Sequence, residues 1–376
     1  MAESIEPRES SPGIAGPGSL DASRDDRGGA PQGSGFSNGS ATSKSGTAGK
    51  AHAFRAGERV VVRSPAEILA TLDADGMAGG LPFMPEMVEL CGKAFLVERR
   101  AEKTCVAVQH PIYPNRRFAE GDVVFLGTRC DGSGHDGCKR GCKLFWREAW
   151  LRPFEPAEGV VPDAAPDDAE ARAALLARLK TKVDETHYFC QSTELAKATE
   201  EFPGNKKLWR LRISAREIRN GDRSLPEMVR LVWLWLAQKV LRRLHGDNWL
   251  RGPNDRAPAV SLGLQPGELV RIKSRSDMQE TLDHDRGNRG LRICYEMTRF
   301  CGGSAEVEGP VDRIINEQTG EMLEMRNTVM FRDLRAPGHA TPHVGCLCAD
   351  EIGYCGREEL MYWREAWLER VGDAKS

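Results

Sequence analysis

Trp146-Arg147-Glu148-Ala149-Trp150-Leu151 returns later in the chain as Trp363-Arg364-Glu365-Ala366-Trp367-Leu368, at an offset of 217 residues. Six consecutive identities that include two tryptophans are far beyond chance, so the sequence contains an internal duplication. Towards the N-terminus, Phe54 to Glu98 aligns without gaps on Leu264 to Glu308, at a constant offset of 210. Roughly a third of these positions are identical, among them Gly57 and Gly267, Val60 and Val270, and Ser64 and Ser274. The run Thr71-Leu72-Asp73 matches Thr281-Leu282-Asp283, Glu86-Met87 matches Glu296-Met297, and Cys91-Gly92 matches Cys301-Gly302. A stretch of variable length separates this block from the tryptophan motif.

Each copy opens with a β-like run, Glu58 to Arg63 and Glu268 to Lys273. Ser64, Pro65 and Glu67 form a capping box with proline at the first helical position, and Ser274 with Asp277 is its counterpart. Short helices should therefore run to about Leu72 and Leu282. Further β-like runs follow at 95–99, 104–109 and 123–126, and in the second copy at 305–308, 313–316 and 328–331. Short strands separated by turn residues predict a small barrel or curled sheet. The opening pattern, apolar-x-x-Gly-Glu-x-Val, resembles the first strand of SH3-like barrels. The expected fold is α+β, with two copies of a small β-rich, SH3-like module flanking a helical middle segment.

The expected boundaries are a disordered tail over 1–52, the first repeat over 53–153, an acidic Pro-rich linker over 154–168, helices over 169–250, a second linker over 251–263, and the second repeat over 264–371. The tail is rich in Gly, Ser, Ala, Asp and Pro and cannot bury enough apolar surface to offset its ordering entropy. In the middle, 168–183 reads as helix, Ser192 or Thr193 as the cap of a helix ending near Thr199, and Ser224 to Glu227 as the box opening a helix to about Leu244. That last helix carries apolar residues on more than one face, which predicts burial between the modules.

The formal net charge of −2 argues against a protein that coats nucleic acid. Arg242, Arg243 and Arg251 read as solvated faces. No segment is long and apolar enough to span a bilayer, and the charged N-terminus lacks the apolar core of a signal peptide. The expectation is a cytoplasmic chain without membrane or nucleic-acid contact, open to a protein partner. Eleven cysteines in such a chain point to thiols, metal ligation or redox work rather than disulfides.

The chemical candidates gather in one loop, Cys130-Asp-Gly-Ser-Gly-His135-Asp-Gly-Cys138-Lys-Arg-Gly-Cys142. Its glycines let thiolates converge, and Cys105 or His135 could complete a tetrahedral zinc site. In the second copy Cys355 stands at the position of Cys138, and Cys346 and Cys348 lie near that of Cys130. Glu359 and Ile315 replace Cys142 and Cys105, while His339 and His343 supply replacement ligands. The leading functional expectation is a non-enzymatic, zinc-binding or interaction protein of duplicated modules. The alternative is an enzyme with a cleft between repeats and helical segment, using Cys142, His135 and Cys190, but no phosphate loop or HExxH string is present. His187 and Cys190 form a weak nucleophile pair. Cys91 and Cys301 read as core thiols, Asp73 and Asp75 as a helix stop rather than a calcium loop, and the tryptophan motif as core.

Overall fold

Gly57 and Gly267 take φ of +83° and +84°, backbone that a side chain would strain. The turns they make feed the β-branched strands Arg59–Val62 and Leu269–Ile272. The computed structural model describes residues 53–106, 115–155, 169–202, 205–245, 251–293, 295–335 and 356–371. The expected tail and nearly all of the first expected linker lie outside these residues. The described part of 50–376 belongs to one unit.

Arg59–Val62 pairs antiparallel with Ala94–Leu96, setting Val60 opposite Phe95, and with Leu151–Pro153, setting Val62 opposite Leu151. Leu269–Ile272 pairs with Ser304–Pro310, Val270 opposite Ala305, and with Leu368–Arg370, Ile272 opposite Leu368. The two registers are related by the offsets of 210 and 217 that relate the sequences. In the second half five strands run in the order Trp363–Arg364, Thr328–Arg335, Ser304–Pro310, Leu269–Ile272, Leu368–Arg370. The edge strands are joined by the single 3-10 turn Glu365–Trp367. Five flat strands would set those edges about 19 Å apart, whereas three 3-10 residues rise only about 6 Å, so the sheet curls.

The first half keeps this order in two pieces. Its second strand breaks into Ala94–Leu96 and Arg99–Arg100, and the latter pairs with Val123–Phe125, which pairs with Trp146–Arg147. Among the described residues no ladder joins the edges in either half. The expected barrel is therefore corrected to a mixed helix-and-sheet fold of small antiparallel sheets without closure. The edge strands are only two or three residues long, and the 3-10 turn between them holds the residues that closure would need.

The tryptophans, the arginine and the glutamate of the repeated motif each have a structural task. Trp146, Trp150, Trp363 and Trp367 are fully buried. Arg147 donates to the Gly79 carbonyl at 2.6 Å and Arg364 to the equivalent Arg289 carbonyl at 2.7 Å. Glu148 accepts from the Phe54 amide at 3.1 Å and Glu365 from the equivalent Leu264 amide at 3.4 Å. The motif thus clamps a turn and the chain entry onto each core.

Ser64 and Glu67 form the expected capping box on the helix Pro65–Leu69, and Ser274 caps Arg275–Gln279. Asp73 accepts from the amides of Asp75 and Met77 at 3.0 and 2.9 Å, and Asp283 from those of Asp285 and Gly287 at 3.0 and 2.8 Å, turns that stop the helices. Cys91 and Cys301 are half-buried against the two cores.

The middle holds Ala169–Arg178, Gln191–Ala198, Lys206–Arg219 and Leu225–His245. Leu175, Leu195 and Ala198 join the first core, so the first two of these helices build that module. The expectation that the longest helix is buried is overturned. Met228 is buried on one side, but Val229, Trp233 and Val240 are 62%, 70% and 58% exposed. Among the described residues no helix is long and apolar enough to cross a membrane.

Candidate metal centre

The loop after Val123–Phe125 folds back through Gly132, Gly137 and Gly141, all at positive φ. A Cβ on Gly132 would stand 2.1 Å from the Cys138 carbonyl oxygen, so only glycine lets the loop close. The Cys130 amide donates to the Cys142 carbonyl at 2.8 Å, and the Cys138 amide to the His135 carbonyl at 3.1 Å. Two more pieces reach this loop. Pro85–Val88 brings Glu86, and the entry to Gln191–Ala198 brings Cys190 and Ser192.

These pieces border a partly open cavity of ≈ 30 Å³, lined by the four cysteines Cys130, Cys138, Cys142 and Cys190 together with His135 and Arg140. Ile315, Arg357 and Glu359 reach it from the second half of the chain. That volume suits an ion or a water or two, not an organic substrate. Of the expected ligands, Cys130, His135, Cys138 and Cys142 thus line one cavity, but no three of the cysteine sulfurs fall within 4.8 Å of one another, so the expected close convergence of Cys130, Cys138 and Cys142 is not seen. Cys105 is buried in the Thr104–Cys105 strand and does not line the cavity, although its carbonyl accepts from Arg357 at 3.5 Å. Cys190 stands where Cys105 was expected. His339, His343, Cys346, Cys348 and Cys355 lie outside the described residues.

Among the described residues the group of three donors whose ligand atoms all fall within 4.8 Å of one another is Glu86, Cys130 and His135. Glu86 Oε1 accepts from the Cys130 thiol at 3.5 Å and the Gly134 amide at 3.2 Å, and lies 2.6 Å from His135 Nδ1. His135 Nε2 lies 3.0 Å from the Phe189 carbonyl oxygen. Both ring nitrogens therefore face acceptors, the environment of an imidazolium that donates twice. Burial alone would lower the His135 pKa, but the Glu86 hydrogen bond and charge outweigh it and raise it. Burial alone would raise the Glu86 pKa, but His135 brings it below the ordinary range.

The pair carries a pH dependence in metal-free protein. Its stabilisation through His135 is complete below the ordinary histidine value of 6.5 and is lost as pH rises through the raised folded value. Through Glu86 it is complete above the ordinary 4.5 and is lost as pH falls through the lowered one. Urea midpoints of chelator-treated protein should therefore fall above pH 6.5 relative to those of His135→Gln. Parallel curves for the two proteins would show that the pair is not charged.

Burial favours the protonated form of three of the cavity's thiols, Cys130, Cys138 and Cys190. Burial, then Glu86 and Cys142, drives the Cys130 pKa far up, and burial with Cys142 pushes Cys190 up to about 12. Burial also raises Cys138. None is an activated nucleophile, which needs a lowered pKa. His187, the other half of the suggested nucleophile pair, is half-buried and bound to Asp184 at 2.8 Å. No disulfide joins any of the described cysteines.

Buried ions border the cavity on the side of the second half. Arg140 reaches Glu317 at 3.1 Å and also contacts Glu359, while Arg357 contacts Glu317 and lies 3.7 Å from Glu359. Two of the contacts between the halves are reciprocal. Arg140 donates to the Ile315 carbonyl at 3.0 Å, and its equivalent Arg357 to the carbonyl of Cys105, the equivalent of Ile315. The Lys139 amide donates to the Arg313 carbonyl at 2.8 Å. Their equivalents touch as well, since a Cβ on Gly356 would stand 2.3 Å from the Lys103 carbonyl. Sequence reading grouped Cys190 with Cys142 and His135 only as reactive groups of the alternative cleft, not as a metal ligand, and it missed Glu86. No protein-family model, curated protein or solved structure matches this chain.

Proposed function

We propose that the chain binds one zinc ion in this cavity, as a structural centre of a non-enzymatic scaffold. The supporting observation is that four cysteines line one cavity of ≈ 30 Å³, although no three of their sulfurs lie within 4.8 Å of one another. The thiolates of Cys130, Cys138, Cys142 and Cys190 are the proposed ligands. Zinc–sulfur bonds near 2.3 Å would draw the sulfurs to roughly 3.8 Å from one another. Glu86 and His135 then serve as the hydrogen-bonded support of Cys130, and Arg140 and Arg357 offset the negative charge of four thiolates. A second reading has one observation in its favour. Glu86 Oε2 is buried without a hydrogen-bond partner, as it would be if Glu86, Cys130 and His135 were themselves the ligands.

The finer fold reading is also a proposal: two copies of an SH3-like module packed about a pseudo-two-fold axis. The shared strand order, the 3-10 turn between the edges and the reciprocal contacts support it. The ion would tie the first module to the helix that starts at Gln191, a staple of the sort small β modules need.

Full-length protein purified under reducing conditions without chelator should contain zinc, and Cys130→Ser should contain one equivalent less. Cys91→Ser should lose none. Cobalt-substituted protein should show the intense near-ultraviolet charge transfer of several thiolates, and weak charge transfer would favour the Glu86, Cys130, His135 set. Unchanged zinc content in both Cys130→Ser and Cys190→Ser would end the proposal.

A further inference from the structure

The helix Leu225–His245 carries a stripe that nothing in the described structure covers. Leu225, Val229, Trp233, Leu236, Val240 and Leu244 are 62%, 62%, 70%, 46%, 58% and 72% exposed. At 100° per residue they fall within an arc of about 100°. Val229, Trp233, Leu236 and Val240 alternate by four, three and four residues, which is the spacing of a helix-pairing seam. The opposite side of the same helix holds buried Met228 and half-buried Leu231 and Trp235, so the stripe is the side left over after packing.

Charge selects the occupant. Residues 206–245 hold eleven Lys and Arg against three Asp and Glu, a net +8 on a chain whose total is −2. Arg230 and Lys239, both exposed, stand directly beside the seam at the positions where paired helices exchange charges. The acidic residue of this helix, Glu227, lies about 150° from the centre of the stripe. A second copy of the chain would therefore meet only like charge along this seam. Nucleic acid would match the charge but would leave six apolar side chains in water.

We infer that this stripe docks an amphipathic helix of a partner protein, with an apolar face and acidic flanks opposite Arg230 and Lys239. The recognition is helix against helix, with burial supplying affinity and charge supplying partner choice. It is independent of the zinc proposal, because no cavity residue lies on the stripe.

The test uses full-length protein and two synthetic peptides of about 28 residues, with leucine and isoleucine at the seam and either glutamate or lysine at the flanks. The glutamate peptide should bind with a Kd in the micromolar range or tighter, weakening with salt, and the lysine peptide at least about tenfold more weakly. Trp233→Glu and Val240→Glu change exposed positions and should each weaken binding about 30-fold or more without altering the far-ultraviolet circular dichroism. Lys239→Glu should narrow the preference between the peptides. Equal binding of both peptides, or binding indifferent to Trp233→Glu, would overturn the inference. So would a concentration-dependent dimer that Val240→Glu abolishes, or binding to anionic phosphatidylserine vesicles that excludes the peptide.

Discussion

Arg357→Ala is expected to cost about 3–5 kcal/mol of stability, the loss typical of removing one partner from a buried ion pair. The Arg357 side chain is 4% exposed. Burial alone would lower its pKa, yet Glu359 and Glu317 raise it well above the ordinary arginine value. It also donates to Ser192 Oγ at 3.0 Å and to the Cys105 carbonyl at 3.5 Å, so one guanidinium ties together three parts of the chain. Without it, Glu317 and Glu359 must share Arg140 while remaining buried. Arg357→Lys keeps the charge but not the planar fork, and should recover only part of the loss. Combining Arg357→Met with Glu317→Gln should recover more, because the cost comes from a stranded charge rather than a missing attraction. Urea denaturation of the three variants measures this. A loss below about 1 kcal/mol for Arg357→Ala would mean that water reaches the network and that the two halves are joined by other contacts.

Signals that are local, or that occur twice, were legible in the sequence. Ser64 with Glu67 is a local code, and the helix starts where it says. The tryptophan motif is identical in both halves, and its arginine and glutamate meet equivalent partners twice, as Glu148 does on the Phe54 amide and Glu365 on the Leu264 amide. What was not legible depends on distant parts of the chain. Cys190 is 48 positions beyond Cys142, and only the fold of the Gln191–Ala198 helix against the first core brings it to the cavity. The helix Lys206–Arg219 lies inside the span expected to be helical but was not delimited, since its basic residues mask a short buried face of Trp209 and Ile213. Apolar content on the longest helix was read as burial, but hydrophobicity alone does not distinguish a face that meets the core from one that awaits a partner.

The two halves should respond alike to loss of their first tryptophan and differently to its replacement by phenylalanine. Trp146→Ala and Trp363→Ala should each cost about 3–5 kcal/mol, since each removes a fully buried indole. Trp146 packs edge-on to Phe83 at 6.2 Å between ring centres, and Trp363 edge-on to Phe300 at 6.3 Å and to Trp367 at 6.3 Å. The indole nitrogens differ. Trp146 Nε1 donates to Thr128 Oγ1 at 2.9 Å, whereas Trp363 Nε1 is buried with no hydrogen-bond partner among the described residues. Phenylalanine at 146 loses that hydrogen bond and strands a hydroxyl. Phenylalanine at 363 removes an unsatisfied donor at the same time as it shrinks the ring. Trp363→Phe should therefore be milder than Trp146→Phe by about 1 kcal/mol, the difference between a made and an unmade buried hydrogen bond. Equilibrium unfolding followed by circular dichroism gives both numbers. If Trp363→Phe proves the costlier, packing of the larger ring against Phe300 outweighs the orphaned N–H, and the second copy relies on its tryptophan for shape alone.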